Sequence, residues 1–179
     1  KIKIKDYDKN FKIKRMLLDE FFDNSYKLFN TSSIILNSIP PVNEKDILVQ
    51  KLKGIIGKQN SIKWYGYLSS TSVYGDQGGK WVTEETIPKP TTKRGMARLK
   101  TEKQNMNLLK EYNLPVHIFR LPGIYGPGRS ICEKIKTNQF VIKKEDHYFS
   151  RIHAKDIAHA IQASINNPTP GEIFNITDD

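Results

Sequence analysis

The sequence predicts an α/β domain with a mostly parallel sheet and helices flanking it. Two observations carry this. Short runs rich in β-branched and aromatic residues alternate with segments of helical apolar spacing. Polar or turn-dense clusters directly follow two of those runs, at the strand ends where parallel sheets open their ligand crevices. With 179 residues and 37% hydrophobic composition, there is material for one core, so residues 1–179 are expected to form a single domain.

Each element has its own signal. Residues 32–39 (S-S-I-I-L-N-S-I) form a β-branched apolar run that Pro40 and Pro41 stop, which predicts a buried strand ending in a loop. After Asn43-Glu44-Lys45-Asp46, the stripe Ile47, Leu48, Leu52, Ile55 and Ile56 predicts a helix that stops near Gly57. Residues 62–68 (I-K-W-Y-G-Y-L) are the next strand and run into Ser69-Ser70-Thr71-Ser72 and then Val73-Tyr74-Gly75. Residues 75–90 lack periodicity and read as a long surface loop, of a kind more often functional than idle. Met96, Leu99, Met106, Leu109 and Tyr112 predict a helix that Asn113 closes. Residues 116–121 (V-H-I-F-R-L) are a third strand, leading into the turn-dense Pro122-Gly123-Ile124-Tyr125-Gly126-Pro127-Gly128. Ile157, Ile161 and Ile165 mark a last helix with Asp156 as its structural cap in the first turn, and residues 172–176 a closing strand. The basic start, residues 1–10, has no apolar run behind it and reads as a solvated start or a frayed edge strand, not a secretory signal.

Composition narrows the function classes. The 29 Lys and Arg against 19 Asp and Glu give a formal charge of +10, yet the lysines are spread through nearly every segment. A dispersed charge makes no groove, which argues against nucleic acid as partner. Cys132 is the only cysteine, which excludes an internal disulfide and fits a reducing, cytoplasmic setting. One thiol and four scattered histidines give no metal-ligand spacing, so no metal site is expected. No apolar stretch approaches the roughly 20 residues of a membrane span, and no membrane partner is expected.

The motif evidence is the order of three segments. Taken alone, the serine-rich cluster is equally well a cap for the following turn. Y-L-S-S-T-S-V-Y-G, then R-L-P-G-I-Y-G-P-G-R, then F-S-R-I-H-A-K-D-I-A together resemble the extended short-chain dehydrogenase/reductases, the NAD(P)-dependent epimerase/dehydratase group, in an atypical branch. The resemblance covers approximately residues 32–177 and leaves 1–31 poorly matched. It implies a Rossmann-like fold, bound NAD or NADP, and a nucleotide sugar or similar small polar substrate, with a homo-oligomer allowed. By resemblance Ser70 is the catalytic hydroxyl, Ser69, Ser70, Thr71, Arg98, Pro122, Gly123 and Ile124 touch cofactor, and Tyr74 and Arg129 face substrate.

Two departures qualify what the resemblance implies. The family's acid/base tyrosine and its partner lysine, spaced Y-x-x-x-K, are matched here by Arg94 and Arg98. An arginine, with a pKa above about 12, cannot act as the poised proton donor and acceptor of hydride chemistry at an alcohol carbon. Arg98 can still hydrogen-bond a ribose or phosphate. The glycine-rich pyrophosphate loop is also missing, because residues 1–31 contain no glycine. These departures lead to the expectation of a sheet incomplete at its N-terminal βαβ unit, the middle of a larger domain. They also leave open an inactive relative, or a non-enzymatic module that binds an anionic ligand or a protein. His153 has no visible partner in the sequence.

Overall fold

A computed structural model describes residues 16–56, 61–129, 148 and 150–178. Cys132, Gly57 and the basic start lie outside these residues. The expected strands appear as β1 (Ile34–Asn37), β2 (Trp64–Ser70) and β3 (Val116–Leu121), with β4 (Gly123–Tyr125), β5 (Arg151–His153) and β6 (Ile173–Asn175) after them. One sheet has the order β1-β2-β3-β6 and is parallel throughout, while β4 and β5 form a separate parallel pair. The helices are α1 (Leu18–Asp23), α2 (Ser25–Thr31), α3 (Ile47–Ile56), α4 (Lys93–Tyr112) and α5 (Ala154–Asn166). The first two occupy a stretch for which the sequence suggested no element.

Because successive strand residues point to opposite faces, β2 and β3 feed two cores at once. Tyr65, Tyr67, Val116 and Ile118 pack with Leu48, Val49 and Leu108 of α3 and α4. Trp64, Phe119 and Leu121 pack on the other face with Ile152 and with Ile157 of α5. All six residues of β3 are buried, as a parallel strand covered on both faces requires. Gly66 has no side chain because the Trp64 indole lies over it. The indole Nε1 donates to Ser164 Oγ of α5 at 3.1 Å, tying sheet to helix.

Three expectations need correction. β1 is not a buried strand: Ile34 is 48% and Leu36 43% exposed, because β1 stands at the sheet edge among the described residues. The turn-dense segment after β3 is partly strand, since Pro122 breaks β3 and the chain re-pairs as β4 with β5. Finally, α5 is capped by the His153 ring, whose Nδ1 accepts from the Lys155 N–H at 3.3 Å, and not by Asp156.

Candidate functional site

The carboxyl ends of β2 and β3 lie side by side. Ser69 pairs with Arg120 and Ser70 with Leu121, so the serine cluster and Pro122 leave the sheet together. The two serines face opposite ways, as strand geometry demands. Ser70 caps the short 3₁₀ turn Thr71–Tyr74, its Oγ accepting from the Ser72 N–H at 3.2 Å, which leaves its own hydrogen available to donate. Ser69 is buried, and its hydroxyl donates to Glu102 Oε1 at 2.6 Å. Ser72 Oγ is buried with no partner among the described residues.

Beneath this end sits a buried polar network that no motif announced. Arg120 Nε and Nη2 donate to the two Glu102 oxygens at 3.1 and 2.8 Å, with both side chains 3% exposed. Burial works against the guanidinium charge, but the hydrogen bonds and charges of Glu102 and Tyr74 outweigh it and hold the Arg120 pKa above its ordinary value. Arg120 Nη1 also donates to the Tyr74 hydroxyl at 2.8 Å, and that hydroxyl donates to Asn175 Oδ1 at 2.8 Å. The Tyr74 phenol is therefore fully engaged in the interior. The one visible signal for this network is an arginine inside the otherwise apolar run V-H-I-F-R-L.

A second region opens between α4 and the loop after β1. Thr92 caps α4 by accepting from the Gly95 N–H at 3.0 Å, and Gly95 presses against the Ser72 carbonyl with no room for a Cβ. This close approach sets Arg98 against β2, while Arg94 stays exposed. Arg98 Nη1 donates to the Leu68 carbonyl at 2.8 Å and the Tyr67 hydroxyl at 3.0 Å, while its Nε is buried and unpartnered among the described residues. Burial pushes the Tyr67 pKa up to about 12 against the lowering effect of Arg98, so this phenol stays protonated and is no replacement acid/base. A cavity of about 590 Å³ lies here, lined by Pro40, Pro41, Asn43, Glu44, Met96 and Ala97 together with Lys93, Arg94 and Arg98.

The cavity's far wall is a tight turn. Val42 and Lys45 exchange backbone hydrogen bonds at 3.0 Å each, and the intervening Asn43 and Glu44 hold φ of 48° and 61°. Positive φ at both central residues is the backbone of a type I′ turn. Helix α4 clasps it through Lys100 to the Glu44 carboxylate at 2.9 Å and Gln104 Nε2 to the Glu44 carbonyl at 3.1 Å.

The remaining expected residues lie on the other side of β3. Ile124 packs against the core that holds Trp64 and Phe119. Gly123 abuts the Arg151 side chain, whose end would have to shift to admit a Cβ. Arg129 is exposed, its backbone N–H donating to the Gly126 carbonyl at 2.9 Å. Nearby, Tyr125 hydrogen-bonds Asp178, whose carboxylate raises the phenol's pKa, and its ring lies 5.2 Å from that of His153. Neither Tyr125 nor Asp178 stands out in the sequence as a site residue.

Among the described residues no cluster of side chains could hold a metal ion, and no helix is long and apolar enough to cross a membrane. The carboxyl end of β2 carries groups of the kind that the ribose and phosphate portions of a dinucleotide take: the Ser70 hydroxyl caps the turn there, and the Arg98 guanidinium reaches the Leu68 carbonyl. The glycine cradle for a pyrophosphate is not supplied by residues 16–53, which contain no glycine.

Comparisons with known proteins bear on the family and the fold. The model of the NAD dependent epimerase/dehydratase family matches residues 48–177. Protein YeeZ of Escherichia coli K12 is 35% identical over 118 residues, 62% of this chain and 38% of YeeZ. The uncharacterized UDP-glucose epimerase YtcB of Bacillus subtilis is 33% identical over 70 residues, 39% of this chain and 22% of YtcB. Among solved structures, a functionally unknown conserved protein from Silicibacter pomeroyi superposes with TM-score 0.78 at 40% identity, covering 84% of this chain and 53% of that one. The dTDP-glucose 4,6-dehydratase of Bacillus anthracis, solved with NAD, has TM-score 0.74 at 20% identity, covering 89% of this chain and 56% of the enzyme, a likeness of fold. The chain thus spans well under two thirds of the length of these relatives.

Proposed function

The chain belongs to the NAD dependent epimerase/dehydratase family and has a Rossmann-like α/β fold, and we propose that it binds NAD or NADP beside a nucleotide sugar or similar small polar molecule. One observation carries the reading. The serine cluster and Pro122 leave the carboxyl ends of the neighbouring strands β2 and β3, and the Arg98 guanidinium reaches the Leu68 carbonyl of β2, at the end of the sheet where doubly wound folds bind nucleotides. In this reading Arg98 and Ser70 hold the ligand, and the free hydrogen of Ser70 is directed to a substrate oxygen. Thr71, Pro122, Gly123 and Ile124 border the cofactor side, and Arg129 is available to a substrate phosphate. Ser69 and Tyr74 act from behind, through Glu102 and Arg120.

When bound, a nicotinamide dinucleotide supplies a hydride acceptor or donor. The partner that such chemistry needs from the protein is a poised acid/base, and that place holds Arg94. Tyr67 stays protonated near pKa 12, and Tyr74 spends its hydroxyl on Arg120 and Asn175. These observations favour a second reading, a relative that binds the ligand without classical hydride transfer.

Titration with NADH and NADPH, followed by their fluorescence and by thermal unfolding, tests the first claim. A saturable signal is expected, with stabilisation of about 2.7 kcal/mol at a hundredfold excess over Kd. Absence of any shift at millimolar nucleotide sinks it. Incubation with NAD and UDP-sugars then separates the two readings: absorbance of NADH or appearance of an epimer supports turnover, and binding without either supports the silent relative.

A further inference from the structure

We propose that the cavity between α4 and the turn after β1 is a phosphoryl-binding site, built by Lys93, Arg94 and Arg98, with Arg94 in the place where the family resemblance puts an uncharged acid/base. The inference rests on the reading of the chain as a nucleotide binder and adds which chemical group the cavity selects.

The argument is one of charge and shape. Three cationic side chains line a single cavity of about 590 Å³ whose only carboxylate among the described residues is Glu44. Glu44 is already matched by Lys100 at 2.9 Å, and Lys93 and Arg94 have no ion-pair partner among the described residues. Like charges gathered in one concavity repel one another unless an anion joins them. Arg98 adds a second sign: its Nη1 is fixed by Tyr67 and Leu68, yet its Nε is buried without an acceptor among the described residues. A buried donor left unsatisfied is costly, so the Arg98 head is held in place at that expense beside the other two cations.

Guanidinium forks match phosphate oxygens in pairs. A single carboxylate is met by one such fork, whereas a phosphoryl dianion calls for two or more cations, which is what the cavity offers. The opposite wall is already in place, because the Val42–Lys45 turn is clasped by Lys100 and Gln104. A preformed wall reduces the ordering cost of binding. Two sources present the chemistry: the phosphates of a dinucleotide, or the diphosphate of a nucleotide sugar.

The test is calorimetric titration of the full chain with inorganic pyrophosphate, UDP, NADH and NADPH, using wild type, Arg94→Gln and, as control, Lys155→Gln on the exposed start of α5. Thermal melts confirm that the variants fold. Arg94→Gln is expected to weaken pyrophosphate and whichever nucleotide occupies the cavity by about tenfold, Lys155→Gln to leave both unchanged, and added salt to weaken wild type more than Arg94→Gln. A tenfold loss for UDP but not the dinucleotides assigns the cavity to the substrate diphosphate; the reverse assigns it to the cofactor. If NADH and NADPH bind while Arg94→Gln alters no phosphate-bearing ligand, the phosphoryl site is wrong and the nucleotide reading survives. If pyrophosphate and UDP bind through Arg94 but neither dinucleotide binds, the cofactor reading fails and the site stands. Binding of no probe at millimolar concentration overturns both.

Discussion

Glu102 and Arg120 illustrate how single residues organise the site. Their paired hydrogen bonds lie in a buried interior, and Arg120 passes the constraint to Tyr74 while Glu102 passes it to Ser69. Removing one member leaves the other as a buried, uncompensated charge, which typically costs about 3–5 kcal/mol. Glu102→Leu is therefore expected to lower the urea-unfolding free energy by about that amount, whereas the double substitution Glu102→Leu with Arg120→Met recovers most of it. Additive losses in the double variant would show that the pair is not coupled. This scale was half legible in the sequence. Ser69-Ser70-Thr71 stood out through their place directly after a strand run and through their order with the later motifs, since a serine cluster alone is equally well a turn cap. Glu102 lies 33 residues from Ser69, on a helix where an acidic residue ordinarily faces water, so no local pattern marks it as buried. Arg94 and Arg98 were legible only against the resemblance, and their shared cavity only from the fold.

At the scale of elements, α4 shows what periodicity reads and what it misses. The apolar spacing located the helix and Asn113 ended it, in the left-handed conformation at φ 56°. The same spacing found part of its inner face, since Met106, Leu109 and Tyr112 pack against the core, but Met96 is 45% exposed, while Thr101, Glu102 and Asn105 are buried. Those polar residues are inward because each has a partner, as when Asn105 donates to Asp46 Oδ2 at 2.9 Å and accepts from the Tyr65 hydroxyl at 2.8 Å. A hydrophobic count cannot register such pairing. Gly95 is the element's other hidden feature, since it lets α4 meet the Ser72 carbonyl. Gly95→Ala is expected to destabilise by about 1–3 kcal/mol through overpacking. Gly54, by contrast, lies in α3 with nothing within 4 Å of the point where a Cβ would stand, so Gly54→Ala should stabilise by about 0.5–1 kcal/mol. Chemical denaturation of the two variants measures both, and equal effects would refute the distinction drawn from their surroundings.

For the whole molecule, the order of strands and helices followed from alternation along the chain, but the exposure of a strand depends on its neighbours, which alternation does not report. β1 carries the same β-branched signal as an interior strand, yet it is flanked by β2 on one side and stands at the sheet edge among the described residues. Ile34 and Leu36 are exposed there, beside an apolar cavity of about 450 Å³ that Leu17, Leu18 and Phe21 of the α1 region help to line. An edge of this kind offers unpaired backbone groups and an apolar face to any other strand, and natural sheets commonly block such edges with lysine. Ile34→Lys puts a charge where the side chain is already half in water, so its cost to folding should stay within about 1 kcal/mol, while its effect on association should be large. Light scattering over a concentration series is expected to show self-association of the wild-type chain that Ile34→Lys suppresses, with both proteins unfolding at similar urea concentrations. Equal scattering by the two proteins would mean that the β1 edge does not mediate association, and a wild-type chain that stays monomeric throughout would mean that the edge is protected in solution.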